Sequence, residues 1–139
     1  ITGGGSGLTY RPAANYCNTP PGTLRDTFTY TLNGGSQATV SMVVNCVDDA
    51  PVAVADSTNA LEDSLTSIDV LANDTDIDAG TKSIGSVTQS TQGGTVVITG
   101  GGTGVSYTAA ANYCGADTFT YTLTPGSSQA TVSVTVFGT

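Results

Sequence analysis

The sequence predicts an all-β protein: an antiparallel β-sandwich of about seven strands, set in tandem with half of another. Three observations predict it. Apolar and polar residues alternate with period two in many short runs. No window carries a convincing 3.6-residue apolar repeat. The chain also repeats itself at a spacing far longer than a solenoid repeat.

The repeat organises everything else. Ile1 to Tyr16 reads ITGGGSGLTYRPAANY, and Ile98 to Tyr113 reads ITGGGTGVSYTAAANY. Cys17 and Cys114 follow. Then come DTFTYTLNGGSQATVSMVV from Asp26 and DTFTYTLTPGSSQATVSVTV from Asp117, 91 residues apart. The first copy carries six extra residues within Asn18–Arg25, a Pro-Pro-Gly loop. One copy therefore holds the C-terminal half of a unit over residues 1–47, and a complete unit follows over residues 48–139. On this reading the chain starts inside a domain, as a fragment of an array or as a subunit whose missing strands another chain supplies.

Strands are expected in chain order. In Thr27–Leu32, Phe28, Tyr30 and Leu32 alternate with threonines, and in Thr39–Val44, Val40, Met42 and Val44 form the apolar set. Asn33-Gly34-Gly35-Ser36 between them is a hairpin signal. Val52–Ala55, Thr66–Leu71, Ser83–Thr88, Thr95–Ile98, Val105–Thr108, Thr118–Leu123 and Ala130–Val136 complete the second unit. Tyr30 and Tyr121 are expected in the core with hydrogen-bonded hydroxyls. Asp26 and Asp117 are expected to cap turns. The GGG runs at Gly3–Gly5 and Gly100–Gly102 read as turns, because no Lys-Ser/Thr follows to make a phosphate loop.

Composition narrows the function. The 139 residues include 18 glycines, and 10% are charged. Three basic against eleven acidic residues give a net charge of −8. Arg11, Arg25 and Lys82 could not neutralise a row of phosphates, so nucleic acid is not an expected partner. An anionic membrane would repel the chain, and no stretch is apolar enough to insert. With no His, serine triads and Cys–His pairs lack their base, and no catalytic residue is expected. Paired carboxylates could in principle hydrolyse glycosides, but their position at a repeat boundary suits ion binding better.

Nine of the eleven acidic residues lie between Asp48 and Asp78, with no Lys or Arg among them. Such density repels itself unless a cation intervenes, and oxygen-only ligands select calcium. Asn73-Asp74-Thr75-Asp76-Ile77-Asp78 spaces its carboxylates by two. It is not an EF-hand, which would want Gly at Ala79 and Glu at Gly85. The alternative is a solvated acidic loop that aids solubility. Asn73 also opens a glycosylation sequon overlapping this loop.

Cys17 precedes one strand of the first hairpin and Cys46 ends the other, so a disulfide is expected, worth roughly 3–4 kcal/mol if unstrained. Two buried thiols are the alternative. A disulfide argues for an oxidising compartment. Gly138 stands where Cys46 has its counterpart, so Cys114 is left with a partner past Thr139, a thiol of another chain, or none. Lys82 is read as a surface lysine rather than half of an isopeptide crosslink.

The string DDAPVAVADSTNALEDSLTSIDVLANDTDIDAG, with ANYCGADTFTYTL after it, resembles the bacterial cadherin-like, VCBS-type Ig-like tandem repeats of large surface proteins. The resemblance covers essentially the whole chain. It implies an Ig/cadherin-like sandwich, an extracellular or cell-surface location, and a role in a stalk, adhesin or filament. It implies neighbouring repeats or subunits as partners, and a cell-surface glycan or protein as a target. It also implies Ca2+ bound near the linkers, with Asp49, Glu62, Asp63, Asp74, Asp76 and Asp78 as ligands. Ala79-Gly80 departs from the Gly-Asp common at the end of that loop, which weakens the implied site. A carbohydrate-binding or accessory module of a secreted enzyme is the competing expectation; the absence of Trp counts against it.

Overall fold

A computed structural model describes residues 1–18 and 25–139. The Pro-Pro-Gly loop lies outside the described residues. The chain divides into two compact units, Ile1–Asp48 and Asp49–Thr139.

The second unit holds seven strands, β3 (Asp56–Leu61), β4 (Leu65–Ile68), β5 (Ser83–Val87), β6 (Thr95–Thr99), β7 (Gly104–Thr108), β8 (Gly115–Thr124) and β9 (Gln129–Phe137). They form a four-stranded sheet in the order β3-β9-β8-β5 and a three-stranded sheet in the order β4-β7-β6. Alternation decides which residues face inward. Along β8 the side chains of Asp117, Phe119, Tyr121 and Leu123 are buried, and along β9 those of Val132, Val134 and Val136. The facing sheet contributes Ile68, Val96, Val105 and Tyr107. The Tyr107 and Phe119 rings stack across the core with centroids 6.1 Å apart. Burying an aromatic or large aliphatic side chain stabilises by roughly 1.5–3 kcal/mol each, so this interior outweighs any single surface contact.

Three expectations need correction. The sandwich is not wholly antiparallel: β3 runs parallel to β9, with Asp56 opposite Val132 and Leu61 opposite Phe137. The first strand is Asp56–Leu61, not Val52–Ala55. Val52 makes only an isolated bridge to Thr75. Side chains take the backbone donors that a ladder would use there: Ser128 Oγ accepts from Ala53 N–H at 3.0 Å and Asp74 Oδ1 from Val54 N–H at 2.7 Å. The strand expected over Thr66–Leu71 stops at Ile68, and the chain turns with Val70 fully buried.

The first unit carries β1 (Asp26–Thr31) and β2 (Gln37–Met42), paired antiparallel with Phe28 opposite Val40. A disulfide joins Cys17 to Cys46, with Cα atoms 4.9 Å apart. Tyr121 is fully buried as expected, but Tyr30, its counterpart, is 38% exposed. Among the described residues of this unit, β1 and β2 have no counterparts of the strands that cover the equivalent face of the second.

Candidate functional site

Asp56 opens β3 and Asp74 follows the turn after β4, and Tyr121 of β8 sits between them. Asp74 is buried at 5% exposure. Its Oδ1 accepts from the Val54 N–H and from the Tyr121 hydroxyl, each at 2.7 Å. Its backbone carbonyl accepts from Lys82 Nζ. That contact makes Lys82 partly buried rather than a free surface lysine. Asp74 Oδ2 and Asp56 Oδ2 are buried without a hydrogen-bond partner among the described residues. Burial, and then the Asp74 charge, push the Asp56 carboxyl above the usual carboxylate range. Burial, and then the hydrogen bond to Asp74, also raise the Tyr121 hydroxyl, so it donates at every physiological pH.

Asp49, Asp76 and Asp78 lie in the adjoining loop. Asp78 Oδ2 accepts from Asp49 N–H at 2.5 Å, and Asp76 Oδ1 accepts from Asp78 N–H at 2.9 Å. These carboxylates tie down their own loop, whose reversal places Ala79 at φ +55°. Asn73, the sequon residue, donates its amide to the Ala55 carbonyl at 3.1 Å.

Glu62 and Asp63 are elsewhere. They form the turn between β3 and β4, at the opposite end of β3 from Asp56, about 20 Å away by the strand rise. Glu62 Oε1 accepts from the Thr139 N–H at 2.9 Å. The six expected ligands therefore do not form one centre. Among the described residues no three acidic, Cys or His side chains converge as a metal site. Calcium takes six to eight oxygens, which no single group here supplies. Asp74 Oδ2 and Asp56 Oδ2 are hard oxygen donors of the kind calcium takes, and both are buried.

Two acidic residues escaped the sequence reading. Asp56 is one of the nine clustered acids, but it falls outside the expected strand Val52–Ala55 and outside the implied ligands. Asp117 reads as a turn cap, yet it is 1% exposed and collects four donors. Its Oδ1 accepts from Thr118 N–H at 2.8 Å, Gln92 N–H at 2.9 Å and Thr91 Oγ1 at 3.0 Å; its Oδ2 accepts from the Tyr107 hydroxyl at 2.7 Å. Burial alone would raise its carboxyl, but the hydrogen bonds outweigh it and hold the group below the usual range. The repeat carried a signal for this network: Tyr10 and Asp26 stand where Tyr107 and Asp117 do, and their side chains bond at 2.5 Å.

Cys114 is an exposed free thiol. Among the described residues no helix is long and apolar enough to cross a membrane. Residues 48–137 match the family model described as the bacterial Ig domain, while no curated protein and no solved structure matches the chain.

Proposed function

The chain belongs to the bacterial Ig domain family, and from that premise we propose that it is a structural repeat of an extracellular stalk, adhesin or filament. Members of this family occur in surface proteins and are a non-catalytic repeat type. One observation carries the reading. Because β3 and β9 run parallel, the first strand of the unit starts at one pole and the last strand ends at the other. Poles set apart in this way suit a repeat with a neighbour attached at either end. The disulfide supports an oxidising location.

Calcium belongs to the same proposal. The six implied ligands fall into two sets at opposite poles of the unit, Asp49, Asp74, Asp76 and Asp78 at one and Glu62 and Asp63 at the other. A unit with a half-set at each pole is suited to sharing a divalent cation with like units on either side. Oxygen-only donors support this.

Small-angle scattering on concatenated copies of residues 48–139 tests the string. Each added copy lengthens the particle by roughly 35 Å, the span of a ten-residue strand such as β8. A maximum dimension that stays constant as copies are added would sink the reading. Melting the same chains in calcium and in chelator tests the ion separately. Saturation at a hundredfold excess over Kd stabilises by about 2.7 kcal/mol, a shift of about 14 °C for a domain this size. Asp76→Asn with Asp78→Asn abolishes that shift. An unchanged melt in calcium ends the metal proposal and leaves the string standing.

A further inference from the structure

The internal repeat makes the second unit a direct record of what the first unit's apolar face is shaped to receive. In the second unit Phe119, Tyr121 and Leu123 are 2%, 0% and 1% exposed. Their counterparts in β1 and beyond are Phe28, half-buried, Tyr30 at 38% and Leu32 at 57%. Val40 and Met42 on β2, and Val44 just beyond it, are likewise only half covered, where their counterparts on β9 are at most 2% exposed.

The first unit is nevertheless already arranged as its complete counterpart is. The Tyr10 hydroxyl donates to Asp26 Oδ2 at 2.5 Å, as Tyr107 does to Asp117 at 2.7 Å. Tyr10 stacks on Phe28 at 6.3 Å and 8°, as Tyr107 stacks on Phe119 at 6.1 Å and 11°. Thr2 bridges Gly7 as Thr99 pairs with Gly104. Gly3, Gly4 and Gly5 take φ of 58°, 65° and 104°, against 61°, 68° and 104° in Gly100–Gly102. The Cys17–Cys46 disulfide ties the ends of this half together.

We infer that the face of β1 and β2 is a preformed docking surface for one occupant, a segment of this repeat's own pattern equivalent to Asp49–Val97. In the second unit that stretch supplies β3, β4, β5 and the start of β6, and continues at Ile98, the counterpart of Ile1. The observed pairing of β3 with β9 fixes the register. The first strand of the segment runs parallel to β2, its Asp56 equivalent opposite Val40 and its Leu61 equivalent opposite Asn45. Pairing of this kind gives affinity through the main chain, and the apolar face gives specificity through alternate side chains. The inference rests on the repeat reading and uses no cation, so the chelator result and this one fail independently.

The test joins a copy of residues 49–97 directly ahead of Ile1 of the full chain and follows amide hydrogen exchange. Exchange in β1 and β2 slows on the order of 100-fold, toward the protection of β8 and β9 in the same molecule. A scrambled segment of the same composition gives no slowing. Leu32→Asp provides a second readout: it leaves the melting of the parent chain unchanged and destabilises the extended one. Unchanged exchange in the extended chain, with β8 and β9 still protected, overturns the inference. So does a parent chain that is a dimer with β1 and β2 already protected, because a second copy is then the occupant. Equal damage from Leu32→Asp in both chains also overturns it.

Discussion

At the scale of single residues, the buried acids set the response to pH. Asp117 is held below its ordinary range in the folded state, so its contribution to stability is present above the unfolded carboxylate value of about 3.9 and is lost as pH falls through the folded value. Asp117→Asn flattens this acid limb in denaturant titrations between about pH 2 and 5. The same variant costs about 3 kcal/mol at neutral pH, because an amide cannot satisfy all four donors. Asp56 has the opposite sign. Its raised carboxyl favours the fold below its unfolded value, and that benefit disappears as pH rises through the folded one. Asp56→Asn removes a desolvated charge and offers an amide donor beside the unpartnered Asp74 Oδ2. In chelator it stabilises by about 1 kcal/mol, measured by urea unfolding at neutral pH. The role of Asp56 was not legible in the sequence, and that of Asp117 left only the repeated Tyr–Asp pair as a trace. Both depend on partners brought from distant positions: Gln92 and Tyr107 for Asp117, Tyr121 and Asp74 for Asp56.

At the scale of elements, alternation was a reliable guide wherever one face is buried and the other wet. The hairpins around Asn33–Ser36 and Pro125–Ser128 follow from it, with boundaries off by one or two residues at Thr27 and Thr39. Apolar patterning misled at Val52–Ala55, an unbroken apolar run whose Ala53 and Val54 donors go to Ser128 and Asp74. It missed Asp56–Leu61, a polar run at a sheet edge where propensity says little and pairing with β9 decides. The two copies also make a prediction about cysteine. Gly138 occupies the position of Cys46, and a Cβ added there meets only Glu62 Oε1 at 3.7 Å, an ordinary contact. Gly138→Cys closes a bridge to Cys114 that matches Cys17–Cys46. Closing a loop of that size stabilises by roughly 3 kcal/mol, read as the difference between melts with and without reductant. The engineered thiol remaining free in non-reduced protein would contradict the equivalence of the two halves.

For the whole molecule, the sequence showed the strand number and repeat length, but not the direction of β3 nor the separation of the acidic residues into two poles. Both follow from where β3 lies in the sheet, and no local pattern records that. The direction of β3 has a mechanical consequence. Tension applied through residues 49 and 139 drags β3 lengthwise past β9, so the hydrogen bonds between six facing residue pairs resist in shear and must fail together. An antiparallel terminal pair pulled from its open end would instead peel apart one bond at a time. Thr58→Pro, which removes a donor from the middle of β3, lowers the rupture force in single-molecule pulling more than an equally destabilising core change such as Val96→Ala. A strand order that serves folding poorly, since it joins the beginning of the unit to its end, is the one that lets a chain of such units carry load.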